Sequence, residues 1–303
     1  MGQTSLETDA PLFSVLIANY NNGIFLMDAI NSIRCQSYQQ WEIIIVDDAS
    51  DDCSHDIYKK LEYDDRVHIF YNGMNRGCGY TKRRCVDLAN GPLCGFLDPD
   101  DTLEPSAIEI MVNEHLNNPE ASLIYSKYYY ADRYLNKIGV SDHQRELPEG
   151  ISFLEYGKGA ISHFASFKKT SYNKTPGIDA CYKRAVDHAL YYLLEEAGSV
   201  RFIDKPLYNY RSNTGSNIST NENSDAAFLW HLVVMTDACR RRGIPMETLV
   251  YSEFQSFIRN EAKEAYVRGE DHVRSSRTYK TGKRVLCPIE WLKTIMQQTR
   301  DRL

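Results

Sequence analysis

Apolar residues fall along the first half of the chain in two alternating rhythms. Short unbroken runs, FSVLIANY over 13–20, WEIIIVDD over 41–48, VHIFYN over 67–72 and LCGFLD over 93–98, read as strands buried on both faces. Between them, residues 24–35, 53–63, 79–90 and 104–117 carry apolar positions at helical spacing. Strands and helices alternating at these lengths predict βαβ units, hence a parallel sheet with helices on both sides. The second half has another texture. ASLIYSKYYYADR over 121–133 predicts a strand, LNKIG a reversal, AISHFASFKKTSY over 160–172 a further strand, 183–197 a helix and 200–213 extended structure broken by Pro206. From about Asp225 the pattern is helical, with Phe228, Leu232, Met235 and Cys239 spaced for one face. The pattern therefore divides the chain into a tail, 1–11, an α/β domain, 12–215, with halves 12–101 and 102–215, and a helical extension, 216–303.

Composition narrows the class. With 43% hydrophobic and 25% charged residues over 303 positions, the chain is globular and can fill one large or two modest cores. A net charge of −6 argues against a nucleic-acid partner. The longest apolar stretch, around FLWHLVVM, falls short of the ~20 residues that a bilayer span needs. The start, MGQTSLETDAPLF, lacks the basic and apolar regions of a secretory signal, although MGQTSL fits the short pattern for N-myristoylation. Eight cysteines without a C-x-x-C pair or zinc spacing fit a reducing cytosol, with most of them small core residues. The tail VLCPIEWLKTIMQQTRDRL could lie on a membrane, but reads better as a helix on the core or a dimer contact.

In a parallel sheet, ligands bind at the carboxyl ends of the strands. Here those ends read ANYNN, VDDASDD, YNGMNRG and DPDD. Asp98 and Asp100, two apart around Pro99, can converge on one small volume. Like charges that close call for a cation between them, and oxygen-only ligands suit Mg²⁺ or Mn²⁺. Asp101 reads as the N-cap of the following helix, with Glu104 closing a capping box. Gly77 and Gly79 lead into a helix bearing Lys82, Arg83 and Arg84, which is either an anion site or a solvated basic face. Asp187, at the start of its helix, is by itself a carboxylate favoured by the helix dipole. Tyr125, Tyr128, Tyr129, Tyr130 and Tyr134 suit a sheet surface, or a stacking face for sugars.

Taken in order, these motifs resemble the inverting family-2 glycosyltransferases of the GT-A fold, which transfer a sugar from a nucleotide-diphosphate donor. The resemblance covers roughly residues 12 to 215. It implies that Ala18 and Tyr20 of ANYN, Asp48 of DDASDD, and Asn75, Gly77 and Arg83 of NRGCGYTKRR bind the donor, Asp48 through the base. It implies that Asp98 reaches the ribose and, with Asp100, holds Mn²⁺ or Mg²⁺. RAVDHALYYLLEEAG places Asp187 at the catalytic base, with Val186 where a glutamate usually stands. PLYNYRSNTGS places Arg211 in register, with Asn213 where a histidine often stands, and ISHF makes His163 an acceptor contact. Arg83 and Arg211 are then expected to orient the acids and the diphosphate. The Q-x-x-R-W stretch of processive members is missing, which implies single additions. By family habit the donor is a UDP-sugar and the acceptor a glycan or lipid-linked sugar in bacterial surface polysaccharide synthesis, in the cytoplasm or at the inner face of the membrane. The rival reading is a scaffold that binds nucleotide sugar without turnover, with Val186 and Asn213 as marks of lost chemistry.

Overall fold

The protein is seen here as a computed structural model that describes residues 10–157, 159–212 and 224–267. The first 96 residues form the expected alternation: β1 (Phe13–Asn19), α1 (Gly23–Arg34), β2 (Trp41–Asp47), α2 (Ser54–Leu61), β3 (Val67–Tyr71), α3 (Cys78–Leu88) and β4 (Leu93–Phe96). The second part adds β5 (Thr102–Leu103), α4 (Ala107–Asn117), β6 (Ala121–Ala131), β7 (Lys137–Val140), α5 (Phe153–Tyr156), β8 (Ala165–Lys168), α6 (Lys169–Tyr172), α7 (Val186–Ala197) and β9 (Ser199–Arg211). Two helices follow, α8 (Ser224–Arg242) and α9 (Met246–Val267).

Among the described residues the strands join one sheet in the order β3-β2-β1-β4-β8-β6-β9-β5, with β7 paired to β6. The first four strands are mutually parallel, as their continuous apolarity requires. Beyond them the sheet is mixed rather than parallel, because β8 runs back between β4 and β6. Two reversals restore the original direction, so β6 and its parallel partner β9 end at the same edge as β1–β4. Strand ends far apart in sequence, Asn19 and Phe96 beside Ala131 and Arg211, thus share one rim. The core lies under that rim, where Phe13, Val15 and Ile17 of β1 pack with Leu26 and Ile30 of α1 and Ile108 and Met111 of α4.

Three sequence expectations change. The strand expected over 160–172 shrinks to Ala165–Lys168, paired to β4 on one side and β6 on the other, and the chain turns into α6 once Lys169 N–H has bonded Pro92 O at 2.9 Å. Most described cysteines are not core residues: Cys85, Cys94 and Cys239 are buried, but Cys35, Cys53 and Cys181 are exposed, and all of those described are free thiols. The chain divides into compact units inside α8, Met1–Ala238 and Cys239–Leu303, later than position 215. The reason is visible in the first unit: Trp230 packs on Tyr182 at 6.3 Å, and Asp237 accepts a hydrogen bond from the Tyr182 hydroxyl at 2.6 Å. No helix among the described residues is long and apolar enough to cross a membrane. The MGQTSL start, Asn213 and the tail beyond residue 267 lie outside the described residues.

At the opposite edge of the sheet a buried carboxylate locks the strand starts. Glu42 Oε1 accepts hydrogen bonds from Ser14 Oγ (2.5 Å), Asn90 N (2.7 Å) and Gly91 N (3.2 Å). Burial pushes this carboxyl up, but the bonds from Ser14, Asn90 and Gly91 outweigh it and hold it below the usual range. A depressed carboxyl contributes stability that is full above its unfolded value and is lost as pH falls through the folded one. Glu42→Ala strands these buried donors, so it should cost about 3 kcal/mol of unfolding free energy at neutral pH. Urea denaturation measures the loss, and the penalty should shrink on acidification.

Candidate active site

The turns after β1 and β2 are braced from beneath. Asp47 Oδ2 accepts from the Tyr58 hydroxyl at 2.6 Å, and Asn19 Nδ2 donates to Tyr58 and Ser54 at 2.8 and 2.9 Å. Burial and then Asp47 push the Tyr58 phenol far up, so it remains a hydrogen-bond donor. Asn21, Ala49 and Ala185 all adopt left-handed φ, at +52°, +64° and +54°. Such conformations are costly for side-chain-bearing residues and cluster at functional sites. Here they lie beside the first, second and α7 motifs.

Asp48 is anchored within the chain. Its Oδ1 accepts from Asn72 Nδ2 (2.7 Å) and Arg76 N (2.8 Å), and its Oδ2 from Gly77 N (2.8 Å). It is the anion at the start of α3, where the free N–H groups and helix dipole favour negative charge. Gly79 N–H bonds Tyr182 O at 2.9 Å, and a Cβ there would lie 2.5 Å from that oxygen. These glycines therefore dock α3 against the approach to α7, and the N–H groups expected to cradle a phosphate are already used. Ala18 and Tyr20 stand at the β1 end of the same rim, Tyr20 47% exposed, and Asn75 is exposed in the turn that Asp48 holds.

The acids meet on a lysine. Lys82, only 4% exposed, places Nζ 2.6 Å from Asp187 Oδ1 and 3.4 Å from Asp98 Oδ1. The expected arginine does not reach them: Arg83, one position on and on another face of α3, is exposed and donates to Ile178 O at 3.1 Å. Counted from Asn75, the family spacing N-x-G-x-x-x-A-R-N in fact puts its basic residue at 82. Burial opposes the Lys82 charge, but Asp187 and Asp98 outweigh burial and hold the ammonium well above its usual range. Burial likewise pushes the Asp187 carboxyl up, and Lys82 and then His163 pull it further down, to about 2. His163 closes the group, its Nε2 3.5 Å from Asp98 and 3.9 Å from Asp187.

Asp101 is not a helix cap. The α4 N-cap is Ser106, and Asp101 points inward, accepting from the Tyr208 hydroxyl at 2.7 Å and Arg211 N at 2.7 Å. Burial, with Asp100 and Asp98 adding to it, raises its carboxyl well above the usual range. Arg211 also departs from expectation. Its main-chain N–H orients Asp101, while its buried guanidinium pairs with Asp28 of α1 at 2.7 Å and donates to Arg133 O at 3.0 Å. Tyr208, which the motifs did not single out, underlies the acid turn: its hydroxyl accepts from Asp98 N at 3.3 Å and His163 stacks on its ring at 5.1 Å.

Among the described residues no three His, Cys, Asp or Glu side chains form a ready-made metal cage. The donor chemistry nonetheless fits a hard divalent ion, which takes one or two carboxylates and completes its shell with substrate phosphates and water. Asp98 and Asp100 carry carboxylates of that kind at the strand end, Asp98 beside Lys82 and His163, and Asp101 is bonded to Tyr208 and Arg211.

Known proteins resemble this chain in sequence and in fold. Chondroitin synthase of Escherichia coli is 29% identical over 241 residues, 77% of this chain and 33% of that protein. Hyaluronan synthase of Pasteurella multocida is 27% identical over 251 residues, 80% of this chain and 24% of that protein. The chain thus spans about a quarter to a third of the length of these curated relatives. Among solved structures, residues 1–349 of S. aureus TarS in complex with UDP-GlcNAc superpose with a TM-score of 0.60 at 17% identity, covering 73% of this chain and 65% of that one. That likeness gives the fold, GT-A. The family model described as Glycosyl transferase family 2 matches residues 14–186, from the first strand to the residue before Asp187. With more than half of its length inside that match, the chain belongs to glycosyl transferase family 2.

Proposed function

We propose that the protein is a metal-dependent inverting glycosyltransferase, moving a sugar from a UDP-sugar to a hydroxyl of a glycan or lipid-linked acceptor in surface polysaccharide synthesis. The observation that carries this reading is the convergence of Asp98 and Asp187, 89 positions apart, on one buried ammonium. An acid for the leaving group and a base for the nucleophile then face one small space. The chondroitin and hyaluronan synthases among its relatives support the polymer class, and the UDP-GlcNAc complex of TarS supports the donor.

In this reading Asp98 and Asp100 hold Mn²⁺ or Mg²⁺, which when bound supplies charge to offset that developing on the departing diphosphate. Asp187 accepts the proton of the acceptor hydroxyl as that oxygen attacks the anomeric carbon from the face opposite the diphosphate, which inverts the centre. A carboxyl held at about 2 is a weak base. The donor diphosphate competes for Lys82, so its arrival loosens the Lys82–Asp187 pair and makes Asp187 more basic only when a sugar is present to attack. His163 contacts both acids and is the acceptor-side group.

A screen of nucleotide sugars for Mn²⁺-dependent hydrolysis, run on wild type and Asp100→Ala, tests the reading. Release of UDP from one donor, reduced about a hundredfold in the variant, is the expected result. Absence of nucleotide binding by calorimetry would remove the transferase reading altogether.

A further inference from the structure

We infer that the aromatic face built by Tyr128, Tyr130 and Tyr210 is the acceptor site, a platform on which a pyranose ring of a glycan acceptor stacks; this rests on the transferase reading above. Tyr128 and Tyr130 lie two apart on β6 and share a face, and the parallel register sets Tyr208 and Tyr210 of β9 beside them. The rings form one group: Tyr128–Tyr130 centroids are 5.0 Å apart, Tyr128–Tyr210 5.6 Å and Tyr130–Tyr210 6.4 Å. All three are half-buried, so each keeps some surface open. The Tyr128 hydroxyl donates to Tyr130 Oη at 3.2 Å, leaving polar groups along the edge of an apolar surface. That combination suits a sugar, which offers C–H faces to a ring and hydroxyls around its rim.

The face also leads to the chemistry. Tyr208 continues it inward, bonded to Asp101 at 2.7 Å and stacked under His163, which lies 3.5 Å from Asp98. Gln144, 2% exposed, makes a side-chain hydrogen bond to Tyr128 and so holds that ring from its buried side. Tyr129, on the other face, is a structural contrast: Lys137 lies 4.1 Å over its ring and pairs with Glu104 at 2.8 Å.

The test is an acceptor titration with short chondroitin and hyaluronan oligosaccharides as probes, alongside UDP calorimetry. Tyr130→Ala and Tyr210→Ala should each raise the acceptor KM about tenfold, the loss of one aromatic contact, with kcat and UDP affinity changed by less than about twofold. Tyr130→Phe and Tyr210→Phe keep the ring and should restore most of the acceptor affinity, which a general packing defect would not follow. Alanine variants with wild-type acceptor KM overturn the assignment, as do variants whose UDP affinity falls in parallel. Wild-type protein that binds UDP but neither oligosaccharide, by saturation-transfer NMR, also overturns it. Wild-type protein that binds no UDP fails the transferase reading instead.

Discussion

Asp187→Asn is expected to lower kcat for sugar transfer by about a thousandfold, the size of a general-base contribution, while UDP affinity stays within about threefold of wild type. The substitution keeps volume, and its amide oxygen can still accept from Lys82, so the Asp98–Lys82 contact at 3.4 Å has reason to persist. What it removes is the capacity to take a proton. Steady-state kinetics with UDP calorimetry separate these effects, because a residue that only shaped the donor site would change both. Transfer at the wild-type rate by the variant would mean that Asp187 is no more than a helix-start carboxylate. The rate loss should not depend on the sugar offered.

Lys82→Met should be the second severe change, lowering kcat/KM about a hundredfold, with Lys82→Arg recovering a substantial part. The ammonium is shared by Asp98 and Asp187, so its removal leaves two carboxylates facing one space beside the His163 ring. The pH dependence has a definite sign. Burial pushes Asp187 up, and the Lys82 charge is the largest influence pulling it down to about 2. Without that charge the carboxyl titrates at higher pH, and the acid limb of the kcat/KM profile should move upward. Arg83→Ala is the control: its guanidinium donates to Ile178 O outside the acid group, so no shift of the limb is expected. A limb that moves in the Arg83 variant and not in the Lys82 variant would reverse the assignment of the two positions.

These neighbouring residues show where sequence reasoning succeeds and where it stops. The strands and helices of residues 13–117 were legible to within a few positions, because two-sided burial leaves a continuous apolar run and helical packing leaves a periodic one. The motifs were legible too, since strand ends are the rim of a parallel sheet. Which side chain of LysArgArg turns inward was legible only in the motif spacing counted from Asn75, which points to 82; composition cannot tell three basic residues apart, and the azimuth of α3 against β1 and β2 makes the choice. Asp101 was misread for a similar reason. A carboxylate three residues before Glu104 matches a capping box locally, but Tyr208 and Arg211, more than 100 positions away, offer it buried donors and the helix starts later. The strand expected over 160–172 keeps only four residues, and its end is set by the turn into α6, where Lys169 N–H bonds Pro92 O, a residue far away in sequence.

The sequence by itself determined the alternation of elements, the acid-rich strand ends and the resemblance to the family, and it singled out Asp98, Asp100 and Asp187 as candidate acids. All of these depend on short-range pattern, in which neighbours in the chain are neighbours in the chemistry. Only the tertiary structure decided that β6 and β9 return to the rim of β1–β4, that Lys82 joins Asp98 to Asp187, and that Asp48, Asp101 and Arg211 spend their hydrogen bonds on scaffold. Those choices depend on sheet order and helix rotation, which are set by packing between residues distant in sequence. A buried charge takes whichever partner that packing brings within reach, because desolvation makes an unpaired one too costly to keep.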